Sequence, residues 1–366
     1  MTRRKLGLLA TLPIVAAVLY LTLWPVPVEP VAWTPPPSPG YQGPFARNER
    51  LRAMEQLAFG PNHGPEAIAI DEAGWIYASA REGRVVRLRP DGTRPQVWAE
   101  TGGAPLGLRI GAGGNLLVAD AMRGLLTIDR DRRVTVLADT ADGIPIAYAD
   151  DLDVARDGRI FFSDASTKFG ARRWGGSYSS SLLEITEHRG HGRLLVWDPA
   201  TGKATTLVSG LHFANGVALA EDESFVLVSE TASYRVVRYW LSGPRRGHTE
   251  PVIENLPGFP DNVTRGSNGR FWVALISPRS RPVDALAGYP RLRRMLMRLP
   301  GALLPEPADY GHVVAFDADG RVLASLQDPT GSYRKISSVL ERGGELYIGS
   351  LEMPTLGRLD KVQAGL

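Results

Sequence analysis

The chain has no cysteine among its 366 residues, which excludes disulfide staples, thiolate nucleophiles and cysteine-ligated zinc. No G-x-S-x-G elbow occurs, so a hydrolase built on a Ser-His-Asp elbow is not expected. Charge of one sign is also scarce. The net charge is only +3, and the basic residues are scattered apart from Arg3, Arg4, Lys5 and one later arginine cluster. No stripe fit for a phosphate backbone results, and nucleic acid is not expected as a partner.

What the chain has in quantity is turn-forming residues: 40 Gly and 28 Pro, spread along the sequence rather than clustered. It also has one long apolar run. "TRRK" (2–5) precedes "LGLLATLPIVAAVLYLTLW" (6–24), nineteen residues without a charge. About 20 apolar residues suffice to cross a bilayer as a helix. The positive flank predicts a cytoplasmic N-terminus and a body on the periplasmic or extracytoplasmic side. A cleaved signal peptide is the competing reading, and "WPVPVEPVAW" (24–33) offers it no small-x-small cleavage site. Residues 1–24 are therefore expected to be a basic end plus a transmembrane signal anchor. Residues 25–45, rich in proline, are expected to form a stiff stalk that holds residues 46–366 off the membrane.

From residue 65 short alternating apolar runs are broken by Gly and Asp-Gly, which predicts an all-β body. The runs repeat. "PEAIAIDEAGWIYASA", "PLGLRIGAGGNLLVAD", "ADDLDVARDGRIFFSD", "ANGVALAEDESFVLVSE", "PDNVTRGSNGRFWVAL" and "SSVLERGGELYIGS" each read as strand, turn, strand, the second strand ending in a small or acidic residue. Six copies suit a six-bladed β-propeller, whereas a β-sandwich requires no copies. Insertions are expected at 167–192 and 279–311.

Aligning the copies on their first strand gives one position per blade: Glu66, Leu106, Asp150, Asn215, Asp261 and Ser337. First strands line a propeller's channel, so these residues are predicted to ring its mouth, with Asp151 and Asn262 one residue on. Carboxylates crowded in a partly dry channel repel one another, and a hard cation relieves them. Carboxylates with amide carbonyls are what Ca²⁺ takes, so one Ca²⁺ on the axis is expected. The competing reading makes each Asp or Asn a turn residue bonded to its own backbone. Asp151 is the one expected to turn into the blade and bond the backbone.

"GRLLVWDPATGKATTLVSGLHFANGVALAEDESFVLVSETASYRVVRYWLSGPRRG" (192–247), with "LPGFPDNVTRGSNGRFWVAL" (256–275), closely resembles the strictosidine synthase-like family, in particular its membrane-anchored members. "GPEAIA", "PLGLRI" and "LYIGSLEMPTLGRL" extend the resemblance across the body. The family is similar to calcium-dependent six-bladed propellers: gluconolactonases, paraoxonases and squid-type phosphotriesterases. The resemblance implies Glu66, Asn215, Asp261 and Asn262 as calcium ligands. Asp150 stands where the wider group has Asn. Leu106 replaces the channel histidine of paraoxonases, and Ala67 replaces a second calcium ligand, which implies a single ion. Ser337 falls where the plant synthases use Glu, which argues against strictosidine synthesis.

The leading expectation is a membrane-anchored, Ca²⁺-dependent hydrolase of lactones or esters, arylesterase- or gluconolactonase-like, with a small-molecule substrate. Asp150 is its candidate base and Asp261 the second candidate. A tethered, non-catalytic binding scaffold is the alternative, and a synthase forming C–N bonds is a third reading. His212 is expected near the channel mouth, with His63 a weaker candidate; His188 and His191 are expected to be exposed. "LAGYPRLRRMLMRLP" (286–300) predicts a basic amphipathic helix carrying Arg291, Arg293, Arg294 and Arg298. It suits a lid or anionic lipid, or else an ordinary helix with solvated arginines.

Overall fold

Alternation of apolar residues with Gly-centred turns produces six sheets arranged as blades, antiparallel except where Thr140–Ala141 pairs parallel with Lys203–Leu211. The computed structural model describes residues 3–304 and 306–366, with side chains from Pro13 onward except at Ala302. The innermost strands are Ile68–Ile70, Pro105–Ile110, Ala149–Val154, Ala214–Leu219, Gly258–Arg265 and Ile336–Arg342. Blades 1, 2, 4 and 5 each run outward through four consecutive strands. Blade 3 gains two short outer strands, Thr140–Ala141 and Ile144–Pro145.

Blade 6 takes its outermost strand from the other end of the chain. Glu55–Ala58 pairs antiparallel with Thr355–Asp360, Glu55 opposite Arg358 and Leu57 opposite Leu356. This closes the ring and removes a bare sheet edge. The repeat pattern did not expose it, because "EQLA" is a four-residue strand with only Leu57 buried.

The core lies between blades. Ala218, Leu227 and Val236 of blade 4 meet Val263, Val273 and Val314 of blade 5, all fully buried. Each such valine or leucine side chain contributes about 1.5–3 kcal/mol on leaving water. Acids closing the second strands tie the blades internally. Asp120 Oδ1 accepts from the amides of Ala104 and Met122, both at 2.9 Å; Asp164 Oδ1 accepts from Tyr148 N at 2.9 Å; and Glu230 Oε1 accepts from His212 N at 2.8 Å.

Both insertions leave from the end of a second strand. Ala149 pairs with Asp164 and Gly258 with Pro278, so the insertions rise at the end of the channel where the first strands begin. The first carries helix α1, Ser177–Glu187; the second carries α2, Arg281–Leu286, and α3, Pro290–Leu296. The single helix expected over 286–300 is therefore corrected to a helix starting at Pro290, after a break at Ala287–Tyr289. Proline lacks an amide hydrogen and drives Tyr289 out of helical geometry, to φ −121°, ψ 75°.

The apolar run near the N-terminus is helical over Arg3–Leu23. Among the described residues, no helix is long and apolar enough to cross a membrane. The expectation of a span over 6–24 rests in part on 6–12, whose side chains lie outside the described residues. Residues 25–45 do not stand free. Apart from the short turn Gly43–Phe45 they are irregular, and they strap the insertions together. Val28 is buried with Phe169 and Leu183. The amides of Glu29 and Val31 donate to Glu187, Trp33 N donates to Ala287 O, and Arg279 holds Pro36 O at 2.7 Å.

Candidate metal centre

Five of the six ring positions occupy β-bulges, whereas Glu66 lies two residues before its regularly paired strand Ile68–Ile70. Pairing slips between Pro105 and Leu108, Ala149 and Leu152, Ala214 and Val217, Pro260 and Val263, and Ile336 and Val339. In each case the two residues skipped are a ring residue and its successor. A bulge frees two residues from the ladder and re-aims their side chains. Asp150, Asn215 and Asp261 can therefore sit in apolar strands, because their backbone has left the regular pairing.

Glycine makes the arrangement possible. A Cβ on Gly216 would collide with Val263 N and lie 2.5 Å from Asn262 Cα; one on Gly107 would lie 2.7 Å from Asp151 Cα. Neighbouring inner strands thus approach closely only because the residue after Leu106 and after Asn215 has no side chain.

Carboxylate oxygens of Glu66, Asp150 and Asp261 come within 4.8 Å of one another. Asp150 and Asp261 are buried and Glu66 is half-buried. Burial first, then the neighbouring acids, pushes all three carboxyls well above the usual carboxylate range; the Asn215 amide beside Asp261 partly offsets this there. Asp150 Oδ1, Asp261 Oδ2, Asn215 Oδ1 and both polar atoms of Asn262 are buried without a hydrogen-bond partner. Buried polar atoms rarely stay unpaired, and three carboxylates that converge, two of them with an unpaired oxygen, fit a hard cation. The three carboxylates offer only oxygen donors, which is the ligand chemistry a hard cation such as Ca²⁺ would take.

The remaining expected residues fall into place as follows. Asp151 bonds backbone, but that of the next blade rather than its own: its Oδ2 accepts from Val217 N at 2.9 Å, and its Oδ1 lies 3.6 Å from Arg109. Burial, countered by Arg109, moves its carboxyl up to about 6. Ser337 Oγ donates to the Glu66 carbonyl at 2.9 Å, so its hydroxyl braces the ring. Leu106 belongs to a buried apolar cluster with Tyr148 and Phe213. His212 lies outside the acidic group; its ring stacks on His188 at 4.2 Å, and His188 stacks on Trp33 at 4.0 Å. Burial lowers the pKa of both imidazoles, that of His188 to about 2. His188 is thus buried rather than exposed, and His191 is half-buried against Glu187 at 2.8 Å. His63 is exposed and pairs with Glu82 at 3.1 Å.

Arg291 and Arg294 are exposed, but Arg298 is not solvated. Its Nε donates to Trp24 O at 2.6 Å and its Nη1 to Leu21 O at 2.9 Å, gripping the end of the N-terminal helix. Arg293 is buried likewise and bonds Thr186 O and Val31 O. Sequence reasoning missed Tyr148, whose buried hydroxyl bonds Ser177 O at 3.1 Å and whose pKa rises through burial and the nearby acids. Its place two residues before Asp150 was the available signal.

Fold and site together define a six-bladed propeller with an acidic centre at one end of its channel. Family models described as strictosidine synthase and strictosidine synthase-like, N-terminal, match residues 150–244 and 43–88. The adipocyte plasma membrane-associated protein of Rattus norvegicus is 32% identical over 98% of this chain and 99% of its own length. The chain belongs to the strictosidine synthase-like family. In fold it is similar to a gluconolactonase from Xanthomonas campestris (TM-score 0.62, 21% identity, 84% and 88% of the two chains). A calcium-binding protein, regucalcin, from Agrobacterium tumefaciens is similar as well (TM-score 0.58, 16% identity, 84% and 93%).

Proposed function

We propose that this protein is a Ca²⁺-dependent hydrolase of esters or lactones, anchored in a membrane by its N-terminal helix with the propeller on the extracytoplasmic side. The observation that carries the reading is the convergence of Glu66, Asp150 and Asp261 within 4.8 Å, with Asp150 Oδ1 and Asp261 Oδ2 buried and unpaired. The calcium-binding and gluconolactonase descriptions of proteins sharing the fold support it, and the description of the rat relative supports membrane association.

Glu66, Asp150, Asn215 and Asp261 would hold the ion, with Asn262 adjoining. A bound Ca²⁺ supplies polarisation of a carbonyl and stabilisation of developing negative charge. Asp150 is the candidate base for the proton of an attacking water; Asp261, whose carboxylate is engaged by the Asn215 amide, is the second choice. Leu106, Tyr148 and Phe213 form an apolar wall that limits bulk water near the acids.

A scaffold reading, in which the ion only locks the blades, has one observation in its favour. Two open cavities, about 500 Å³ and 370 Å³, are lined by other residues, the larger by Ile110, Val154 and Arg265 toward the far end of the channel. Purified protein assayed on aryl esters and lactones with and without chelator separates the readings. Chelator-sensitive turnover supports the hydrolase; a chelator-induced drop in melting temperature without turnover supports the scaffold.

A further inference from the structure

The second insertion presents large apolar side chains to solvent at the end of the molecule that carries the acidic centre. Tyr289, Leu292 and Leu303 are 60%, 43% and 66% exposed, and Tyr178 of the first insertion is 56% exposed. Residues 285–305 contain four arginines and no acid; of these, Arg291 and Arg294 face solvent. Aromatic and leucine side chains set among arginines are what an anionic membrane interface accommodates.

A second observation selects the occupant. The N-terminal helix leaves Ile14, Val18, Leu19, Leu23 and Trp24 exposed, so the propeller does not cover them. Its final carbonyls are nevertheless clamped to the second insertion by Arg298. Val28, five residues beyond the helix, is already buried among Phe169 and Leu183. Five residues span at most about 17 Å even when extended. A bilayer around the helix therefore cannot stand far from the insertions.

We propose that the acid-bearing end of the propeller lies flat on the bilayer that holds the N-terminal helix, with Tyr289, Leu292 and Leu303 in the headgroup layer and Arg291 and Arg294 on anionic lipid. This rests on the membrane-anchor reading and departs from the expected free stalk. The mouth of the channel then opens at the lipid–water boundary, and the substrate class it meets is amphiphilic rather than freely water-soluble.

The absence of cysteine makes the test direct. Tyr289→Cys, Leu303→Cys and, in a far-end turn, Asn268→Cys are introduced singly into the full chain and labelled with a fluorophore. Each is then reconstituted in phosphatidylcholine/phosphatidylserine vesicles containing nitroxide lipid. Labels at 289 and 303 are expected to be quenched several-fold more than the label at 268. Arg291→Glu with Arg294→Glu should reduce quenching at 303 by roughly tenfold in docked population on anionic vesicles and leave it unchanged on neutral ones. Equal quenching at all three sites, in protein that floats with the vesicles, overturns the docking and spares the anchor. Failure to float overturns both.

Discussion

Gly216→Ala tests whether the bulged inner strands are built around close approach. The added methyl would fall on the Val263 amide nitrogen and within 2.5–2.6 Å of Asn262 Cα and C, all backbone. Ordinary carbon contacts begin near 3.5 Å, so blades 4 and 5 must part by about 1 Å. Overpacking of this kind costs about 1–3 kcal/mol, and rigid backbone neighbours place it at the upper end. For a body of this size, about 3 kcal/mol lowers the melting temperature by about 4 °C. The parted strands carry Asn215 and Asp261, so calcium affinity should fall together with stability. Calorimetry with and without calcium provides the assay. Gly344→Ala, where a Cβ meets nothing within 4 Å, serves as control and should melt like the parent. If Gly216→Ala melts with the parent and binds calcium equally well, the close-approach argument is refuted.

Metal-free protein should become less stable as pH rises. Carboxyls raised by folding contribute stability that is complete below about pH 4 and is lost as pH climbs through their folded values. For Asp151 that window closes near pH 6, and for Glu66, Asp150 and Asp261 the loss also runs upward from their ordinary range. Melting temperature without calcium should fall between pH 5 and 8, and added calcium should abolish the fall; an unchanged slope would contradict the site. Asp150→Asn removes one repelling charge, so it should raise the metal-free melting temperature, shrink the rise calcium induces and lower lactone turnover. Unaltered turnover would remove Asp150 as base. Deleting residues 1–60 exposes the edge of Thr355–Asp360 and should yield insoluble protein, because the deletion takes away Glu55–Ala58; a soluble, cooperatively melting product would refute the closure.

The six inner strands were legible because alternation and Gly-Asp turns are local signals, and the repeat located the ring residues without coordinates. Glu66, Asp150 and Asp261 are brought together as their alignment in the copies implied. Four features were not legible, each because it depends on partners distant in sequence. Glu55–Ala58 becomes a strand by pairing about 300 residues away. The 25–45 segment reads as a stalk by composition, yet Glu187, Arg279 and Arg293 supply partners for its backbone. Arg293 and Arg298 look solvated on a helical wheel but are consumed by carbonyls of that same segment and of the N-terminal helix. His212 reads as a channel residue, and stacking on His188 accounts for its position instead.

Calcium binding to the metal-free full chain, followed by calorimetric titration with elemental analysis of the product, tests the central claim most directly. One Ca²⁺ per chain is predicted, with binding weakened at least tenfold in Glu66→Gln and in Asp261→Asn. No calcium retained at millimolar concentration, or binding indifferent to both substitutions, would contradict the account.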